Sequence, residues 1–307
     1  MIDFTECPVN PYKTFGGANG SKIGIIYQDK PYMLKLETKP AGKNFYSNGV
    51  LCEHIGCQVL QSLGIPAQNT ILGVYQKNGK FYNVVACEDL TQGGYVLKEF
   101  TEIQNSCIEA SSSVDGKNQL LPMLKAIDEQ TLIDPIKVRE FYWDQFIGDA
   151  LIGNFDRHPG NWGFLLNEQR QKSKISPVYD CGSALYPQVQ EADMKMILSS
   201  EEELNKRIYV FPQSAMRIGN DKLNYFDYIS SFQNKNCTAA LLRIAPKVDM
   251  QKVYSIIENI EYLSDLQKQF YETMLLHRKE KILDFSLYRF REITKEKKQN
   301  QRRGFER

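Results

Sequence analysis

The sequence is poor in the residues that build metal and disulfide frameworks. Its 307 residues include three histidines, and the seven cysteines (Cys7, Cys52, Cys57, Cys87, Cys107, Cys181, Cys237) are scattered, odd in number and nowhere spaced C-x-x-C. This argues against zinc ribbons and disulfide scaffolds, and a reducing, cytoplasmic setting is expected. No run of 18 apolar residues occurs, so no membrane span is expected. The opening MIDFTECPVNPYK lacks a basic segment followed by an apolar one, which implies no secretory signal. Net charge is nearly absent: 38 Lys and Arg against 37 Asp and Glu leave +1, so no specific nucleic-acid partner is expected. Residues 295–307 are the local exception, with six basic and two acidic side chains, and read as a solvated helix end.

What is present is ordinary for a globular protein: 42% hydrophobic and 24% charged residues. A chain of this length buries roughly 75% of its unfolded surface, enough for a core without staples. The first 90 residues are strand-rich. Residues 22–27 and 32–37 are β-type runs, and 70–75 and 80–86 are joined through Asn78-Gly79, a pair suited to a tight hairpin. Between them, Leu51, Ile55, Val59 and Leu63 recur every four residues, the spacing of one helix face. Residues 101–118 are polar and Ser-rich and read as a mobile loop. Helices are expected at 120–130, 138–152, around 253–260 behind an Asp249 cap, and along 263–298. Short β-runs are expected at 162–166 and 175–179. The pattern is α+β: a small β-rich lobe (residues 1–90) joined to a larger α-helical lobe (91–307).

The sharpest chemical signal is the loop Gly153-Asn154-Phe155-Asp156-Arg157-His158-Pro159-Gly160-Asn161, set between a helix and a strand. Asp156 and Asn161 have the D-x-x-x-x-N spacing of a kinase catalytic loop, in which the Asp accepts a hydroxyl proton and the Asn binds magnesium. Asp180, 19 residues on and followed by Cys181-Gly182, stands where a second metal-holding carboxylate would sit. A Pro-Gly turn and a strand-end carboxylate are the plainer alternatives. Upstream, the run from Phe15 to Lys22 contains Gly16, Gly17, Asn19, Gly20 and Ser21, permissive backbone for cradling phosphates, although a simple turn has the same composition. Lys35, mid-strand, fits a lysine reaching α- and β-phosphates or a solvated edge residue. Glu53 is its candidate partner, or a carboxylate at a helix N-terminus. Glu88 and Leu90, at the end of the last strand of the small lobe, are placed to meet an adenine edge through their backbone. Tyr225, Phe226, Tyr228 and Phe232 suit either an acceptor pocket or, more simply, core packing.

These features occur in kinase order. With NFDRHPGNWGFLL (154–166), PVYDCGSALYP (177–187), FGGANGSKI (15–23), TILGVYQ (70–76), VVACEDL (84–90) and the LGIP helix ending after Glu53, the chain resembles the HipA-like serine/threonine kinases, particularly their shorter members. The resemblance implies a two-lobed protein-kinase-like fold and transfer of the ATP γ-phosphoryl, with Mg2+, to Ser or Thr hydroxyls of a protein substrate. By that resemblance Asp156 is the base, Arg157 and His158 shape the loop and meet the transferred phosphate, and Asn161 and Asp180 hold metal. Lys35 and Glu53 form the phosphate-positioning pair, and Ser21 is a candidate site of regulatory autophosphorylation. Export or entry into other cells is also a property this resemblance suggests. The residues by themselves leave open a small-molecule or lipid phosphotransferase, and a nucleotide-binding interaction protein.

Overall fold

Side chains alternate along a strand, and this alternation sorts the amino-terminal residues onto two faces. In the strand Lys30–Leu36, Tyr32, Leu34 and Leu36 are buried on one face with Phe4, Ile25, Val84 and Ala86. Met33 packs on the opposite face, where Val85, Cys87 and Val50 are buried. Lys35 shares the face of Met33, because the period of two leaves it no other. The structure, a computed structural model, describes residues 1–11, 13, 22–37, 48–107 and 118–305, with side chains described as far as residue 301.

Five strands form the sheet in the order Ile2–Asp3, Thr70–Lys77, Lys80–Glu88, Lys30–Leu36, Lys22–Tyr27. All pairs are antiparallel except the first. The hairpin at Asn78-Gly79 turns as expected, with φ of 51° and 73° at its two central residues. The helix Gly49–Ser62 lies across one face of the sheet and buries Leu51, Ile55, Val59 and Leu60.

The rest of the chain is mainly helical around Pro135–Ile152. That helix starts with an Asp134 side chain capping the Ile136 N–H and proline in its first turn, and it stops at Gly153 in the left-handed region (φ 65°). Leu120–Glu129, Lys235–Ile244 and Asp265–Arg278 pack on it. Asp249 caps Met250–Glu258 as expected. Asp265–Arg278 runs through a wide π-type turn at Lys279–Asp284 into Phe285–Phe305. Tyr225 is buried, Tyr228 stacks on Trp143, and Phe226 and Phe232 lie against Phe285 and Phe290, so this aromatic set is core packing.

Two expectations are corrected. The Ser-rich stretch is not a loop from its start: Phe100–Cys107 is a helix whose Phe100, Ile103 and Gln104 are buried, while residues 108–117 lie outside the described residues. Packing of Phe100 on the Trp162 ring, centroids 4.1 Å apart, outweighs the polar composition that follows it. The second β-run belongs to Lys172–Ile175, not 175–179. Beyond Ile175 the chain leaves the three-stranded sheet (Val96–Glu99, Gly163–Asn167, Lys172–Ile175) and Val178 instead bridges to Ala67.

Strand Gly163–Asn167 leads directly out of the suspected catalytic loop, and its first residue has no room for a side chain. A Cβ on Gly163 would stand 2.0 Å from the Lys98 carbonyl oxygen, a backbone atom that cannot rotate away. Gly163→Ala should therefore destabilise the protein by about 1–3 kcal/mol. A denaturation midpoint equal to wild type would show that the strands are not this close.

Candidate active site

The loop after Pro135–Ile152 is held by its own hydrogen bonds. The Asp156 carbonyl accepts from the His158 N–H (2.8 Å) and from the Asn161 side-chain amide (2.8 Å). The Asn161 N–H donates to the His158 carbonyl at 2.8 Å, closing the Pro-Gly turn between them. His158 accepts the Gly160 N–H at Nδ1 (3.0 Å), which leaves Nε2 as its protonated nitrogen, 3.9 Å from Asp156 Oδ1. The Asp156 carboxylate itself is 48% exposed. Burial of its surroundings pushes its pKa up, and nearby Asp180 adds to this against the opposing pull of His158.

Arg157 points the other way, into the core, and is 4% exposed. Its guanidinium donates to both Asp149 carboxylate oxygens (3.1 and 3.3 Å), to the Asn161 carbonyl (2.8 Å), to the Tyr179 carbonyl and to Cys181 Sγ (3.3 Å). It thus ties the helix, the loop and the chain on both sides of Asp180 together. Burial works against its charge, and Asp149 more than restores it. Asp149, on an otherwise apolar helix face, is a residue the sequence reading missed. Its signal was a carboxylate embedded in FIGDALI.

On the sheet side, Lys35 Nζ lies 2.8 Å from Glu53 Oε2 and 2.9 Å from Asp180 Oδ1. The expected partner Glu53 and the separately predicted Asp180 therefore meet at one ammonium. Glu53 is buried and Asp180 is 46% exposed. Burial alone would lower the Lys35 pKa, yet the two carboxylates hold it well above its ordinary value. In return Lys35 pulls the Asp180 carboxyl down to about 2. Asp180 adopts a left-handed backbone (φ 58°), which turns the chain immediately before Gly182. A Cβ on Gly182 would be 3.2 Å from Glu53 Oε2, so the glycine lets this turn approach the helix that carries Glu53.

Gly17, Asn19, Gly20 and Ser21 lie outside the described residues. The segments bracketing them pair: Val9 bridges Ile25, and the Asn10 N–H donates to the Gly24 carbonyl at 2.8 Å. At the strand end, the Glu88 N–H and carbonyl are already engaged by Asn69 O (2.9 Å) and Gln68 Nε2 (2.8 Å), and Leu90 follows two residues on. The sequence reading also missed buried Asp89 here, which accepts from the Thr91 N–H and hydroxyl (2.8 and 2.7 Å) and pairs with Lys13.

A sheet-rich part carrying a lysine–glutamate pair, facing a helical part that presents an aspartate loop and a second aspartate on the segment after its small sheet, defines a protein-kinase-like architecture. No family model matches the chain. It is 44% identical over 301 residues to the serine/threonine-protein kinase CtkA of Helicobacter pylori strain J99, covering 97% of this chain and 91% of that protein. The crystal structure of the Helicobacter pylori proinflammatory kinase CtkA superposes with a TM-score of 0.89 at 46% identity, covering 95% of this chain and 98% of that one. HipA of Shewanella oneidensis MR-1, solved with HipB and operator DNA, shares the fold alone, with a TM-score of 0.56 at 18% identity over 91% of this chain and 68% of that one. The chain belongs to the family of the serine/threonine-protein kinase CtkA. Among the described residues, no helix is long and apolar enough to cross a membrane.

Proposed function

We propose that the chain transfers the γ-phosphoryl of ATP, with magnesium, to serine or threonine hydroxyls of a protein substrate, its own chain included. The observation that carries this reading is the meeting of Lys35, Glu53 and Asp180 opposite the Asp156–Asn161 loop. Lys35, held by Glu53, is the cation for the α- and β-phosphates. Asp156 takes the proton of the attacking hydroxyl, and its raised pKa suits a group that must accept one. His158, with Nε2–H beside that carboxylate, is placed to meet the transferred phosphate. Leu90 is the hinge residue whose backbone meets adenine, since both backbone groups of Glu88 already have partners. The division into residues 1–90 and 91–307 places the cleft at that hinge.

The donor set at Asp180 and Asn161 fits magnesium: an ionised carboxylate and an amide oxygen are hard oxygen ligands. Asn161 uses its NH2 on the Asp156 carbonyl, which fixes the amide and leaves its oxygen as the ligand. When bound, the metal neutralises charge on the phosphates. This chain's residues do the remainder, chiefly positioning.

Incubation with ATP and magnesium, followed by intact mass and peptide mapping, should find phosphate on serine or threonine. ATP consumed only when small alcohols are supplied would overturn the protein-kinase reading. Asp180→Asn, which keeps the left-handed turn while weakening the ligand, should lose the magnesium-dependent part of nucleotide affinity. Titrations with and without magnesium that match wild type would remove Asp180 from metal binding.

A further inference from the structure

The helix Pro135–Ile152 runs into a knot of buried polar groups. Asn154, two residues past its end, has no exposed surface, yet both of its backbone groups and both ends of its side-chain amide are engaged. Its N–H donates to the Asp149 carbonyl (3.0 Å), its Nδ2 donates to Asp149 Oδ1 (3.1 Å), and its Oδ1 accepts the Asp156 N–H (3.0 Å). Its carbonyl accepts the Tyr225 hydroxyl at 2.5 Å, from 71 positions further along the chain. Tyr225 opens the helix Tyr225–Ser231, is buried, and sets its ring 5.1 Å from that of Phe146 on Pro135–Ile152. Packing explains the ring and leaves the phenol unexplained, because phenylalanine fills the same space without a buried hydroxyl that needs a partner. Burial, with the nearby Asp149 charge adding to it, pushes the phenol pKa up, so the hydroxyl stays protonated and serves the Asn154 carbonyl as a donor.

We propose that Tyr225 is a positioning residue for Asp156: its hydroxyl fixes the Asn154 peptide, and the Asn154 side chain in turn holds the Asp156 N–H. This rests on the reading of Asp156 as catalytic base. The Asp156 carboxylate is half exposed, so its direction follows from the backbone that carries it. Two of the bonds on that backbone, from His158 and from Asn161 to the Asp156 carbonyl, come from the loop itself and move with it. The bond from the Asp156 N–H to Asn154 is different in kind, because Asn154 is tied to Asp149 inside the helix and to Tyr225 on another one. Arg157 grips the same Asp149 from the other side of Asp156. Tyr225 therefore adds an anchor from beyond Asp180 to a loop otherwise held from its own end of the chain. Such an anchor matters for rate, since a displacement of about 1 Å at a reacting group can cost about 10²-fold.

The test is a double-mutant cycle, read as the rate of phosphate incorporation from radiolabelled ATP and magnesium into the chain itself at saturating nucleotide. Tyr225→Phe keeps the ring and removes the hydroxyl. It should lower that rate about tenfold while leaving ATP affinity unchanged. In an Asp156→Asn background, where no base remains to be aimed, the same substitution should alter the residual rate by less than about twofold. Rates are taken at a temperature where melting curves show every variant folded. A tyrosine that served stability alone would slow both backgrounds by one factor, through the folded fraction. Equal factors in the two backgrounds, or an unchanged rate in Tyr225→Phe, would overturn the proposal. Wild type without transfer, or Asp156→Asn without loss, would strike the reading beneath it and this role with it. A slow Asp156→Asn that Tyr225→Phe slows again by the same factor would strike this role alone.

Discussion

Asp156→Asn should lower phosphoryl transfer about 10²–10⁴-fold, the range expected for losing a positioned general base. The substitution keeps the shape of the side chain, and the hydrogen bonds that shape the loop run through the Asp156 backbone: its carbonyl accepts from His158 and Asn161, and its N–H donates to Asn154 Oδ1 at 3.0 Å. Loop geometry should survive, and so should nucleotide binding, for which Lys35 and Asp180 are the proposed contacts. Single-turnover rates set beside ATP affinities separate the two properties. Undiminished transfer in this variant would falsify the assignment of Asp156 as base.

Arg157→Ala should produce the largest loss of stability, on the order of 3–5 kcal/mol, because it strands the Asp149 carboxylate without its partner at 1% exposure. For a chain of this size that corresponds to a melting temperature lower by on the order of 10 °C. The deficit should depend on pH in a defined direction. Burial pushes the Asp149 carboxyl up and Arg157 opposes it, so removing the arginine leaves the upward push opposed only by the Asn154 amide. A folded-state pKa above the unfolded value means the folded variant binds a proton more readily than the unfolded chain. The penalty is therefore full above that raised pKa and shrinks as pH falls through it towards the ordinary carboxylate range. Asp149→Asn combined with Arg157→Ala should recover part of the loss. An unaltered melting temperature in Arg157→Ala, or a deficit that grows in acid, would contradict this account. Arg157 acts on chemistry through its neighbours: it touches the Asn161 and Tyr179 carbonyls, one beside each proposed metal ligand, and so sets their spacing.

Much of this was legible from local patterns. A period of four located the helix that carries Glu53, and a period of two put Lys35 on the face that meets it. The D-x-x-x-x-N loop announced itself because its shoulders were a strong helix and an apolar strand. What escaped notice depended on partners distant in sequence. Asp149 reads as an exposed helical acid until Arg157, eight residues later, folds back onto it. Asp89 reads as a turn residue until Lys13, 76 positions earlier, reaches it. Phe100–Cys107 was hidden by the serines after it, since a stacking contact with Trp162 leaves no trace in composition. The left-handed backbone at Asp180 is likewise a tertiary outcome, tolerated because Asp adopts that conformation more readily than most residues.

The twofold grip of Lys35 has a consequence for how the cleft breathes. One ammonium joins a sheet strand, the helix behind it and the chain emerging from the helical part, across 18 and 145 positions of sequence. The two halves are thus pinned to each other by charge. The Glu53 side of that pin is shielded from water, while the Asp180 side is nearly half exposed and open to screening. Raising ionic strength should loosen only the outer contact, so the lysine stays on its glutamate while the mouth swings free. Salt then acts as a lubricant for the mouth of the cleft and leaves the interior of the fold untouched.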